Sequence, residues 1–276
     1  MGKVRTIQRS GSRFYVDSET AEKVPGVTSV ISMLPKPFLT YWAARLTAET
    51  AVQNLSAVAS IAERDEAGAI DYLKNAHSRY TKLRAQVGSD AHDLFERMIR
   101  GEVVRRVHPD LEPYRQHFAD FLEAVGPQLV RAEDVAWSTT HNYAGSFDAI
   151  LRLRLGDDGK PDPDGRPHLV MTDWKTSAST YPEVALQMAA YAHADWIVSP
   201  DGTREPMPEF DGACVLHITP EGWEFIPVRI DAEVFEIFLT LRRVFDWDKS
   251  ISKTVLGRAI ASSSKKLVTG TQRRSR

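Results

Sequence analysis

Two carboxylates and an ammonium stand at spacings that would gather them on one patch of β-sheet. Asp148 lies in Ala144-Gly-Ser-Phe-Asp-Ala-Ile-Leu-Arg-Leu-Arg154, where residues alternate as in a half-buried strand. Asp173 lies in His168-Leu-Val-Met-Thr-Asp-Trp-Lys175, a short apolar run that ends in polar residues. Between them Gly156-Asp-Asp-Gly-Lys-Pro-Asp-Pro-Asp-Gly165 is dense in turn formers, so the two runs read as an antiparallel hairpin. Facing residues of such a pair share one index sum. The midpoint of Asp148 and Asp173 falls at Lys160 and Pro161, in the middle of that loop. Strand side chains alternate with period two, so Lys175 points to the same face as Asp173.

Such a patch has a definite chemistry. A carboxylate pair suits a hard divalent cation, Mg2+ or Mn2+, that keeps several waters for substrate phosphates to displace. A lysine beside the ion can hold the attacking water or take its proton, because nearby positive charge lowers the lysine's pKa. Leu169, Val170 and Met171 are apolar on both faces, the mark of a buried central strand, and polar residues at the end of such a strand need a reason.

The elements around the hairpin read as a mostly helical front followed by β-β-β-α-β-β-α. Residues 13–16 and 27–31 pattern as an opening strand pair. A helix over 38–55 would bury Tyr41, Trp42, Leu46 and its alanines, and helical patterns continue over 61–76 and 78–99. Gly88 reads as an interruption of the last, with Ser89 as the N-cap of its second half. Residues 113–125 form another helix that buries Phe118, Phe121 and Leu122. Residues 129–138 read as one strand, turning at His141-Asn142-Tyr143 into the Asp148 strand. Pro182 opens a helix to residue 198. Strands over 212–218 and 222–230 meet at Pro220-Glu-Gly222, and Asp231 caps a last helix to residue 247. This order predicts an α/β fold, a mixed central β-sheet flanked by helices with a helical N-terminal extension. One domain would cover 1–250, with a helical front over 38–126 and a core over 127–247, leaving a basic, flexible tail over 251–276.

With 276 residues, 42% hydrophobic and 26% charged, the chain has the composition of a globular protein able to bury a substantial core. A formal charge of −2 gives no sign, for the molecule as a whole, of binding a polyanion. The distribution is uneven: everything after Asp248 carries +8 with no acid, which leaves the preceding part at −10. Such a tail reads either as a nucleic-acid contact or as a solubilising end. Cys214 stands alone in an apolar run and reads as a core thiol. No stretch approaches transmembrane length and the N-terminus lacks an apolar signal core, so a soluble intracellular protein with no membrane partner is expected.

The chemistry-bearing residues, taken in order, resemble a known family. Gly145-Ser-Phe-Asp148, Asp173-Trp-Lys175 and Gln187-Met-Ala-Ala-Tyr191 are similar to the motifs of the PD-(D/E)XK nuclease superfamily. They look most like its RecB-like branch, which includes phage exonucleases and CRISPR-adaptation exonucleases. That branch also has an upstream histidine shortly after a glycine and followed by an acid. Gly88-Ser-Asp-Ala-His-Asp-Leu-Phe-Glu96 fits, which nominates His92. The opening Val24-Pro-Gly-Val-Thr-Ser-Val-Ile31, followed by Pro35, Pro37 and Trp42, is similar to phage members, so the likeness covers roughly residues 12–230.

The resemblance implies a restriction-endonuclease-like core and a role for each matching residue. Asp148, Asp173, the backbone carbonyl of Trp174 and His92 would ligate Mg2+ or Mn2+, and Lys175 would orient or activate water. Gln187 and Tyr191, one helical turn apart, would hold that lysine and contact the DNA backbone. The implied activity is a DNA exonuclease of phage-type recombination or repair, in the cytoplasm of a bacterial or phage-infected cell. A single-strand annealing or recombination protein is a candidate second partner beside DNA. Some members of the branch hold an iron–sulfur cluster through four cysteines. Cys214 alone cannot, so no cluster is expected and the likeness stops at the nuclease core.

Other residues are less determined. Glu96 is either near the metal through water or a solvated helix acid. Arg97, Arg100, Arg105 and Arg106 either line a channel for the strand or complement a helix end. A turn centred on Asn142 faces Asp148 with Ala136, leaving Glu133 offset on the other face, and would bring His141 toward substrate. Two further functional readings stay open: a catalytically silent DNA-binding recombination partner, and a metal-dependent hydrolase of another substrate.

Overall fold

Alternation at the start of the chain builds a small antiparallel sheet from β1 (Val4–Arg9), β2 (Ser12–Asp17) and β3 (Lys23–Pro25). The structure is a computed structural model that describes residues 4–18 and 20–261. A short helix, α1 (Val27–Ile31), leads to α2 (Phe38–Gln53), α3 (Leu55–Arg64), α4 (Glu66–Lys74) and the long α5 (Ala76–Ile99). The next helix, α6 (Glu112–Val125), stops at Gly126, whose left-handed backbone (φ 59°) closes it. Strands β4 (Gln128–Ala132), β5 (Val135–Ser138), β6 (Tyr143–Ser146), β7 (Ala149–Leu155) and β8 (Arg166–Lys175) precede α7 (Val184–Ala192). Then come β9 (Trp196–Val198), β10 (Arg204–Pro206), β11 (Gly212–Thr219) and β12 (Gly222–Val228). The last helix, α8 (Ala232–Lys249), is capped by Asp231, whose carboxylate accepts from the N–H groups of Glu233 and Val234.

The central sheet has five strands in the order β12-β11-β8-β7-β4. Only β8 and β11 run parallel, so the sheet is mixed, and helices cover both of its faces. Ile150, Met171 and Val215 pack against α1, α7 and α8. The alternate residues Leu151, Val170, Trp174 and Leu216 pack against α5 and α6. Beneath the end of β8, Phe95 stacks on Phe118 (centroids 4.6 Å apart) and Trp174 stands edge-on to Phe118 at 5.5 Å. Each of these buried rings stabilises the fold by roughly 1.5–3 kcal/mol, and together they hold the functional end of β8 in place. A second sheet, ordered β10-β9-β5-β6, carries the chain into β7.

Several local expectations are corrected. Residues 27–31 form a helix, not a strand. Their β-branched composition favours extension, but Val27, Val30 and Ile31 are buried against α7 and α8. The Ser29 hydroxyl, accepting from Arg13 N–H at 2.8 Å, also ties the turn to β2. Helix α2 forms but buries no residue, so its expected apolar side, Tyr41 included, is not core. The 61–76 pattern breaks at Asp65, which caps α4 by accepting from Gly68 N–H. Gly88 does not interrupt α5, which runs through it, and Ser89 caps nothing there. The expected single strand 129–138 is split at Glu133 (φ 59°), sending β4 and β5 into different sheets. The 182–198 helix ends at Ala192, and Trp196–Val198 pairs with β5 and β10, where its β-forming side chains find partners.

The chain emerging from α8 is exposed at Ile251, Val255, Leu256 and Ile260. The rest of the basic tail, from residue 262 on, lies outside the described residues. No helix among the described residues is long and apolar enough to cross a membrane.

Candidate functional site

The hairpin of β7 and β8 runs in register from Ala149↔Thr172 to Leu155↔Arg166. Every pair has the index sum expected for Asp148 and Asp173, so Asp148, the residue before β7, faces Asp173. Trp174 N–H donates to Asp148 Oδ2 at 2.5 Å and locks the carboxylate against the neighbouring strand. Asp173 is only 2% exposed. Its Oδ1 accepts from Gln187 Nε2 at 2.8 Å, and its Oδ2 lies 2.5 Å from Lys175 Nζ. The Gln187 amide faces three partners at once. Its Oε1 accepts from Lys175 Nζ at 3.3 Å, and its Nε2 also donates to the Tyr191 hydroxyl at 3.1 Å. From the opposite side α5 delivers His92, with Nδ1 3.4 Å from Asp148 Oδ1.

Charge is balanced within this group. Burial raises the Asp173 pKa, Lys175 opposes that rise, and Asp148 adds to it, leaving the carboxyl above its ordinary range. Burial works against the charge of Lys175, but Asp173 and Asp148 together outweigh it and its pKa ends above the ordinary value. His92 follows the same pattern: burial lowers its pKa, and hydrogen bonding and attraction to Asp148 carry it above the ordinary value. The lysine is therefore held as a cation, poised to donate.

Glu133 corrects the sequence reading. The β5–β6 turn is centred earlier than Asn142, pairing Val135 with Ser146, and the β4–β7 ladder pairs Ala132 with Ala149. Glu133 thus faces Asp148, donating its N–H to the Asp148 carbonyl at 3.1 Å, and its side chain lines the same cleft. Burial, then Asp148 and Glu96, push its carboxyl up to about 7. A carboxyl whose folded pKa exceeds its unfolded value of 4.5 loses native stability as pH rises between those two values. In chelator, Glu133→Gln should therefore melt higher than wild type at pH 8 and the gap should close by pH 4.5. A pH-independent difference would mean that the carboxyl is solvated.

Residues to which the sequence assigns no role in the chemistry complete a cleft of about 430 Å³ around the carboxylates. Arg13, Tyr15 and Thr28 reach it from the N-terminal segments, and Ser89 and Asp93 from α5. The Tyr15 hydroxyl accepts from Ser146 N–H at 3.0 Å, which fixes β6 beside the site. Thr28, Ser89 and Asp93 lie inside stretches that carry the family resemblance, whereas Arg13 and Tyr15 have no signal beyond strand alternation. Gly145 keeps space open for the site, since a Cβ there would lie 2.6 Å from Tyr191 Cε1 and 3.1 Å from Val27. Gly145→Ala should cost about 1–3 kcal/mol in chemical denaturation and displace Tyr191. Unchanged stability would show that the helix yields freely.

The remaining candidates lie elsewhere or have other partners. Glu96 pairs with Arg100 at 2.8 Å, Arg97 pairs with Glu102, and Arg100 also donates to the Ala132 carbonyl. His141 does not approach the cleft. It packs edge-on to Phe235 of α8 at 5.5 Å. Burial pushes the Cys214 thiol up to about 12, which makes it inert.

The two facing carboxylates suit a hard cation such as Mg2+ or Mn2+, and the imidazole of His92 beside them is a softer donor. Asp173 Oδ2 is buried and, its contact with Lys175 apart, makes no hydrogen bond, as an oxygen reserved for an ion would. Among the described residues no three His, Cys, Asp or Glu side chains form a ready-made cage. Water and backbone oxygen would have to complete the shell, as is usual for Mg2+. No protein-family model and no curated protein matches the chain.

Proposed function

We propose that the protein is a Mg2+- or Mn2+-dependent deoxyribonuclease, an exonuclease of phage-type recombination or repair. One observation carries the reading. Asp148 and Asp173 face each other across a strand pair in an open cleft, with Lys175 and Gln187 hydrogen-bonded beside them. The resemblance to RecB-like nucleases supports the same assignment through the ordered residues His92, Asp148, Asp173, Lys175, Gln187 and Tyr191.

Asp148 and Asp173 would hold the ion, with the Trp174 carbonyl and His92 as further donors. The bound ion would supply charge stabilisation to the scissile phosphate and the departing oxygen. Lys175, kept cationic by its two carboxylate neighbours, orients the attacking water by donating to it and stabilises the negative charge that water acquires. Gln187 fixes the Lys175 ammonium and the Asp173 carboxylate relative to each other, and Tyr191 holds the Gln187 amide. Burying two carboxylates costs stability even with Lys175 and His92 beside them, and a silent DNA-binding protein would have no use for that cost. The resemblance to phage-type members is what supports the proposed setting, the cytoplasm of a bacterial or phage-infected cell beside a recombination partner.

The test uses end-labelled linear DNA and closed circular DNA with Mg2+, Mn2+ or chelator. Label should be released from the linear substrate only with metal, and closed circles should stay intact. Cleavage of circles would replace the exonuclease with an endonuclease. Absence of any DNA cleavage in both ions would overturn the reading.

A further inference from the structure

Beside the carboxylate patch lies a second cleft, of about 540 Å³, with a different character. Its wall is aromatic. Phe38 and Tyr181 set their rings nearly parallel, 6.3 Å between centroids at 15°, and Trp42 stands edge-on to Tyr80 at 5.9 Å. Phe38, Tyr80 and Tyr181 are 51%, 45% and 47% exposed, so much of their aromatic surface stays in water. Large aromatic surface left in water around a concave site marks a binding surface.

Two features tie this cleft to the candidate nuclease site. Thr176, the residue directly after Lys175, lines it, and Gly88 lines both clefts. At position 88 a Cβ would lie 3.2 Å from Thr176 Oγ1, so the glycine lets α5 pass close to the end of β8 where the two clefts adjoin. Gly88 is also one helical turn before His92. One turn before Gly88, Arg84 lines the aromatic cleft, and among the described residues no carboxylate pairs with it. The cleft therefore joins π-faces and one uncommitted cation to a wall, at Gly88, that it shares with the carboxylate cleft.

We propose that this cleft binds the unstacked bases of a single-stranded DNA end, with Arg84 on the backbone. The proposal rests on the nuclease reading above and adds the substrate class. In a duplex every base is paired and stacked, and only the outer face of the terminal pair is open. Unpaired bases can enter the cleft one by one and present a face to Phe38, Tyr80 or Tyr181 whatever their sequence, which the wide terminal pair of a blunt duplex does not. An apolar peptide would use the rings but leave Arg84 without a counter-charge.

The experiment measures binding in chelator, where cleavage is blocked. The probes are a blunt duplex and the same duplex with a short thymidine overhang containing 2-aminopurine. Wild type should bind the overhang more tightly, with the probe's fluorescence changed by stacking. Tyr181→Ala and Arg84→Gln should each reduce that preference by about tenfold, and Tyr181→Phe should retain it. Both truncated side chains are exposed, and melting temperatures would verify folding. If Tyr181→Ala fails to fold, Arg84→Gln decides alone. An unchanged preference and an unchanged probe signal overturn the proposal. Sedimentation showing a dimer that Tyr181→Ala dissolves also overturns it, since a second copy would then fill the cleft. If wild type still degrades linear DNA, the nuclease reading survives either failure. If no DNA is degraded with metal, both fall together.

Discussion

Asp148→Ala and Asp173→Asn should each lower metal-dependent cleavage of linear DNA by roughly a thousandfold, because each removes one of the two carboxylates that face each other across the strand pair. Asp173→Asn is the more informative of the two. Asparagine keeps the oxygen that accepts from Gln187, removes the charge and turns an amide NH2 in place of Oδ2 toward Lys175. In the folded protein the Asp173 carboxyl titrates above its unfolded value of 3.8. Ionising it therefore costs native stability as pH rises from that unfolded value through the folded one. At neutral pH in chelator, the Asn variant should melt at or above the wild-type temperature while losing its activity. Near wild-type cleavage by either variant would remove these residues from the chemistry. A large drop in melting temperature for Asp173→Asn would mean that the carboxylate serves the fold.

Lys175→Met should lower turnover by about 10²–10⁴-fold, with metal affinity kept, since the ammonium orients and stabilises water without ligating the ion. Its effect on stability has the opposite sign. The variant leaves Asp173 buried with no cation at 2.5 Å, at a cost on the order of 2 kcal/mol. That is less than for a fully buried pair, because 29% of the Lys175 side chain is exposed. Tyr191→Phe removes only the hydroxyl that steadies Gln187, so it should slow cleavage several-fold with metal affinity unchanged. Measuring turnover, metal affinity and melting temperature on both variants separates these roles. If Lys175→Met changes none of the three, the lysine is a solvated bystander.

Three parts of the site were legible because they depend on short-range geometry. The Gly/Asp/Pro-rich loop centres one hairpin, and one centre fixes one register, so Asp148 and Asp173 could be set opposite each other by counting. Period two put Lys175 beside Asp173, and the helical period put Gln187 and Tyr191 on one face. Each of these follows from a repeat built into the backbone.

The rest was decided by which segments meet in space. Residues 27–31 have the composition of a strand and became a helix because the surface left by α7 and α8 could bury their apolar side chains in that form. Glu133 came to face Asp148 because a left-handed residue splits one apparent strand between two sheets, and a non-glycine residue in that conformation has no pattern to announce it. Tyr15 reaches Ser146 across 131 positions, and Gly88 of α5 closes on Thr176 just past the end of β8. Such contacts obey no sequence period. The hairpin's chemistry was therefore written in the chain, while its cleft, its aromatic neighbour and the setting of Glu133 arose only when distant segments packed to exclude water.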